Sequence, residues 1–160
     1  MNLITKITKP IILPHWSQDV LLIIPRIVCG YLLAFHFGAD KFGMPWSPID
    51  KNLGLFEVVF WFPNDVAKYR GVFALFPVFF AWIGAFSEAI GGLFLLFGFQ
   101  TRIASFLVIS TMLVAIFMQQ INNGLWSCLA AMGFLWVAIF CIILGSGRFG
   151  IDYLLTKNKA

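Results

Sequence analysis

From Ile103 to Gly147 the chain carries no acidic or basic side chain, and from Gly71 to Thr101 it carries a single one, Glu88. A bilayer core takes a helix of about 20 apolar residues, and uncharged runs of this length fit nowhere else so well. Composition agrees. Of 160 residues, 61% are hydrophobic and 11% charged, where a soluble domain carries about 25% charged residues. Mean hydropathy is +0.91. These values exclude a soluble enzyme, a disordered chain and a disulfide-framed secreted domain. The expected fold class is all-α, an integral membrane four-helix transmembrane bundle.

Hydropathy and helix punctuation place one transmembrane domain over the whole chain, with spans at about 18–38, 71–99, 101–121 and 124–145. Ser17 or Asp19 is the expected cap of the first span, and Pro77 an expected kink within the second. The short NNG connection makes the last two spans an antiparallel hairpin. The N-terminal MNLITKITKPIILPHW lacks a continuous apolar core and a cleavage site, so it does not read as a removable signal. Cys29, Cys128 and Cys141 lie in apolar stretches without C-x-x-C spacing and read as small buried apolar residues.

The net charge of +4 comes from scattered residues. No basic patch forms, so no nucleic-acid partner is expected; the lipid bilayer is. An even number of spans puts Lys6, Lys9, Arg102, Arg148, Lys157 and Lys159 on one side. Lys41, Lys51, Lys68 and Arg70 fall on the other, offset by Asp40, Asp50, Glu57 and Asp65. The positive-inside rule then favours both termini in the cytoplasm. The outer loop, about residues 39–70, is too apolar for a solvated connection. Its Trp46, Phe56, Phe60, Trp61 and Phe62 suit the membrane surface, with a lid or a docking face as alternatives.

Charges within spans are costly and call for partners. In the first span Arg26, Cys29, Leu33, His36 and Asp40 recur at intervals of three and four, forming one inward stripe. Glu88 shares a face with Gly84, Ser87, Gly91 and Gly92, small residues that let helices approach. At 1.5 Å per residue Arg26 and Glu88 both lie roughly 12–15 Å from the cytoplasmic ends of their helices, which predicts a buried Arg26–Glu88 ion pair. His36, Asp40 and Lys41 are expected near Gln119, Gln120, Asn122 and Asn123, forming a polar mouth on the outer leaflet. That mouth is either a hydrated helix end or a site for a small polar head group such as a quinone, with His36 exchanging protons. No Cys/His/carboxylate set has metal-site spacing, so no metal is expected. The residues alone identify no catalytic set and no cofactor.

The segments AFHFGADKFG (34–43), SEAIGGLFLLFGFQTRIAS (87–105) and LGSGRFGID (144–152), with the arginine of IPRIVCG, resemble the DoxX-like family of small four-helix membrane proteins. Phe37 stands where a glycine often follows the family's histidine. The resemblance singles out Arg26, His36, Lys41, Glu88, Arg102, Arg148 and Asp152. It implies a bacterial inner-membrane protein that is a subunit or accessory of a membrane oxidoreductase, one relative being a thiosulfate:quinone oxidoreductase, with quinone as the implied cofactor. Three functions stay open: a quinone-interacting redox subunit, a non-catalytic anchor or assembly subunit bound to other membrane subunits, and a small-solute or proton pathway. Whether the chain is an enzyme is open too.

Overall fold

A computed structural model describes residues 8–157. Four helices in it are long and apolar enough to cross a membrane: Trp16–Phe37, Pro77–Phe97, Thr101–Asn123 and Leu125–Leu144. At 1.5 Å per residue each reaches about 30 Å or more, the thickness of the hydrocarbon core. Lys6 and Lys159, part of the orientation argument, lie outside the described residues.

Local chemistry moves several of the expected boundaries. The first span is entered at His15, whose extended backbone N–H donates to Gln18 Oε1 at 3.4 Å. Ser17 and Asp19 therefore lie inside the first turn instead of capping it. Pro77 does not kink the second span but begins it; its missing N–H costs nothing at a helix start. Val72–Leu75 forms a separate turn before it. The third span ends in a tighter turn, Ile121–Asn123, and Gly124 at φ 92° reverses the chain. The third and fourth spans then pack along one another as the expected hairpin.

The first span does not stand level with the others. A Cβ on Gly30 would lie 2.6 Å from Leu96 N, and one on Gly38 would lie 2.5 Å from Ala89 N. These glycines let two backbones touch, and they fix the register. The outer end of the first span thus stops beside the middle of the second. The connection 39–70 fills the space above it and packs on the bundle. Phe42 and Val58 form an antiparallel bridge, and a short helix, Trp61–Ala67, packs on Pro77–Phe86. Phe62 is only 8% exposed, packed with Val66, Ala81 and Ala85, whereas Phe60 is 82% exposed. Trp46 Nε1 donates to the Ala34 carbonyl at 3.0 Å, tying the loop to the first span.

The opposite face is closed by the residues after the fourth span. Asp152 accepts from Gln100 N (2.8 Å), Thr101 N (2.9 Å) and Thr101 Oγ1 (2.8 Å), capping the start of the third span. Arg148 Nε meets Asp19 Oδ2 at 2.8 Å, and Arg148 Nη2 donates to the Leu13 carbonyl. Arg102 Nη2 reaches the Ile143 carbonyl at 3.2 Å. Positive φ at Gly145 (76°) and Gly147 (64°) gives the tight turns this knot requires. The segment before the first span reaches this terminal face too, where Ile11 N donates to the Leu144 carbonyl at 2.9 Å.

Candidate functional site

The expected Arg26–Glu88 ion pair does not form. Because the first span is displaced toward the terminal face, Arg26 lies beside Gly98, at the end of the second span, and not level with Glu88. Its guanidinium donates to the Ser146 carbonyl and, at 3.3 Å, to the Phe149 carbonyl. A buried cation is satisfied there by backbone acceptors, with the Asp152 carboxylate nearby. The partner of Glu88 is Lys41, whose Nζ lies 2.6 Å from Oε2 and 2.9 Å from Oε1. Glu88 is 5% exposed and the Lys41 side chain 20%.

This pair sits in the wall of a mostly apolar cavity of about 310 Å³, at the lower end of the usual range for small-molecule pockets. The first span contributes Leu33 and Phe37, the loop helix Phe62 and Val66, and the second span Phe80 and Ile83. Thr111, Gln119 and Gln120 come from the third span, and Ala131 and Phe134 from the fourth. Gln120 Oε1 is buried without a hydrogen-bond partner, an acceptor available to a donor inside the cavity. Lys41 Nζ lies 5.3 Å from the centre of the Phe62 ring, and the Lys41 carbonyl accepts from Val59 N at 2.9 Å. The loop therefore holds both ends of the lysine. Tyr69 also lines the cavity, half-buried; burial first, then Asp65 and Glu88, push its phenol above its ordinary value and keep it a hydrogen-bond donor.

Three π-helical turns border this space: Leu33–Phe37, Ser87–Gly91 and Ala115–Gln120. Such turns recur at functional sites because each inserts a residue and re-aims the side chains beyond it. In the first, Gly38 N donates to Leu33 O, five residues back, at 2.7 Å. The inward row therefore runs Leu33, Phe37, Lys41 and not Leu33, His36, Asp40. His36 is exposed, its ring edge-on to Phe37 at 5.3 Å, and outside the cavity wall. Asp40 is half-buried and Asn123 exposed, and neither lines the cavity. Of the residues expected in a polar mouth, Lys41, Gln119 and Gln120 come together, and Glu88 joins them.

Sequence reasoning missed the Lys41–Glu88 pair, Tyr69 and Phe62. One signal was present: a lone carboxylate in an apolar span requires a cation, and Lys41 was the alternative to Arg26. Toward the terminal face the cavity is closed by the apolar packing of Leu33, Leu95, Ala104 and Val108, which separates it from Arg26 and Asp152.

A family model described as DoxX matches residues 20–120. The stretch includes Arg26, His36, Lys41, Glu88, Arg102, Gln119 and Gln120, whereas Asn123, Arg148 and Asp152 lie beyond it. No curated protein and no solved structure matches the chain.

Proposed function

The chain belongs to the DoxX family, and from that premise we propose that it is a small redox-linked membrane subunit that binds a quinone head group in the cavity beside Lys41 and Glu88. The observation that carries this reading is the part-buried 2.6 Å Lys41–Glu88 pair in the wall of a cavity lined mostly by apolar side chains. A flat ring with two carbonyl oxygens suits such a place, because its faces are apolar and its edges need donors. A quinone supplies a two-electron, two-proton couple when bound. The Lys41 ammonium and the Tyr69 phenol are donors for its carbonyl oxygens, and Gln120 Oε1 accepts from a hydroxyl of the reduced form. Glu88 holds the Lys41 ammonium in the cavity wall through both carboxylate oxygens. The electrons come from a partner redox subunit in this reading, which makes the chain an accessory of a larger oxidoreductase in the bacterial inner membrane.

A second reading, a non-catalytic anchor, draws on exposed aromatic residues toward the loop face, where Phe60 is 82% and Trp126 86% exposed. A through-membrane pathway has less support, given the apolar packing beneath the cavity. The orientation with both termini cytoplasmic rests on Lys9, Arg102, Arg148 and Lys157 at the terminal face.

Binding of a decyl-tailed benzoquinone to the protein in lipid nanodiscs tests the first reading. Lys41→Met/Glu88→Gln removes both charges together, so no stranded ion unfolds the protein. The expected result is a melting temperature close to the parent's with affinity lowered about tenfold or more, the loss of one charge-assisted contact. Unchanged affinity rejects the head-group site and leaves the anchor reading.

A further inference from the structure

We infer that the ligand reaches the cavity sideways from the bilayer, between the second and third spans, and is therefore a lipid-borne amphiphile whose apolar tail lies between Ile83 and Phe80 on one side and Ser110 and Val114 on the other. The inference rests on the head-group site proposed above. It adds the place of the ligand's tail and the route by which the molecule enters.

The two spans are joined only over part of their length. The third span packs on the second through Ser87–Gly91 and Gly92–Phe97, whereas the outer half of the second, Pro77–Phe86, packs on the loop helix Trp61–Ala67. Their facing walls diverge just where the cavity lies. Gly84 widens the gap: a Cβ there would already lie 3.4 Å from Phe62 and 4.0 Å from Thr111.

Ser110 lines the cavity at an exposed position, as do Gln119 nearer the loop face and Ala130 on the fourth span. It lies nine residues into the third span, about 14 Å from the terminal-face end and about 20 Å from the other. The opening is therefore within the apolar thickness of the membrane and not at its water boundary. Toward the loop face the cavity is covered in part by aromatic rings, with the exposed Gln119 beside them. Tyr69, Phe73 and Phe80 meet in a row, edge-on and then tilted, with ring centres 6.2 Å and 4.7 Å apart, beside Phe62 and Val66. A solute arriving from the loop side meets mostly aromatic rings, whereas a lipid-dissolved molecule meets the opening at Ser110. A head group drawn to Lys41 and Glu88 through that opening leaves its tail among apolar side chains, with no loss of hydrophobic burial.

Two probes and two variants in nanodiscs test the route: a dimethoxy-methyl-benzoquinone with a decyl tail, and the same ring without a tail. Ser110→Trp fills the opening. Leu113→Trp adds the same ring to an exposed position on that helix outside the cavity wall. For equilibrium affinity the inference predicts that Ser110→Trp, which occupies the tail's place, weakens the tailed probe about tenfold or more, leaves the tailless ring within about twofold, and that Leu113→Trp changes neither. Equal weakening of both probes, no weakening of the tailed one, or the same loss in Leu113→Trp overturns the lateral route while the head-group site stands. Failure of the unaltered protein to bind either ring overturns the head-group site and the route with it.

Discussion

Lys41 Nζ lies 2.6 Å from Glu88 Oε2, so a residue of the loop, four beyond the last turn of the first span, neutralises the one carboxylate buried in the middle of the second. The link makes the loop a part of the bundle. It also makes the two single charge removals unequal. Lys41→Met leaves Glu88 charged at 5% exposure and is expected to cost about 3–5 kcal/mol. Glu88→Gln leaves Lys41, whose side chain keeps 20% exposure, and is expected to cost less. The double variant recovers most of the loss. Thermal unfolding in detergent measures all three, and equal stability of the singles with the parent protein contradicts the pairing.

Arg26 is energetically independent of Glu88. A double-mutant cycle between Arg26→Met and Glu88→Gln is expected to give a coupling below about 0.5 kcal/mol, as for residues without shared partners. The cycle between Arg26→Met and Asp152→Asn is expected to give a clearly larger one, because both act on the same knot of residues 146–152. A large Arg26–Glu88 coupling would restore the pairing that depth arithmetic suggests.

That arithmetic shows how far the sequence could be read. Hydropathy located the four spans, and their positions needed only adjustment at Pro77 and His15. Small residues beside Glu88 correctly turned it inward. Depth was not legible, because the displacement of the first span is set by backbone contacts at Gly30 and Gly38 that no periodicity announces. The inward face was legible only as far as Leu33. Beyond it the π turn adds a residue, exchanging His36 for Phe37 and Asp40 for Lys41. The loop, read as a membrane-surface segment, had enough apolar residues to pack inside, and Phe62 and Val66 do so.

Gly38 carries the close approach between the first two spans. Gly38→Ala places a methyl group 2.5 Å from Ala89 N and is expected to destabilise the protein by about 1–3 kcal/mol through overpacking. Gly133→Ala meets no atom within 4 Å and is expected to be neutral or slightly stabilising, since alanine favours a helix. Comparing the two melting temperatures separates a packing effect from a general one.

Tyr69 remains a neutral phenol across the physiological range, since burial, Asp65 and Glu88 all raise its pKa. Its contribution to stability is present below the ordinary tyrosine value of about 10 and declines as pH rises past that value toward the higher folded-state one. The phenolate absorbance of the parent protein minus that of Tyr69→Phe should therefore develop later than that of a free tyrosine. Development at or below the ordinary value would show Tyr69 outside this environment.

His36 is expected to be dispensable for ligand binding, because the π turn carries it out of the cavity wall. His36→Ala should leave the affinity for the decyl-tailed benzoquinone within about twofold. A tenfold loss would return the site to the outer end of the first span.

Photo-crosslinking with an azido-benzoquinone, followed by mass-spectrometric mapping of the modified peptides, tests the central claim most directly. The account predicts adducts on the cavity wall, at Phe62, Tyr69, Thr111 and Gln119–Gln120, that disappear in Lys41→Met/Glu88→Gln. Adducts concentrated on His36 and its exposed neighbours, or a wall pattern unchanged by removing the two charges, would contradict it.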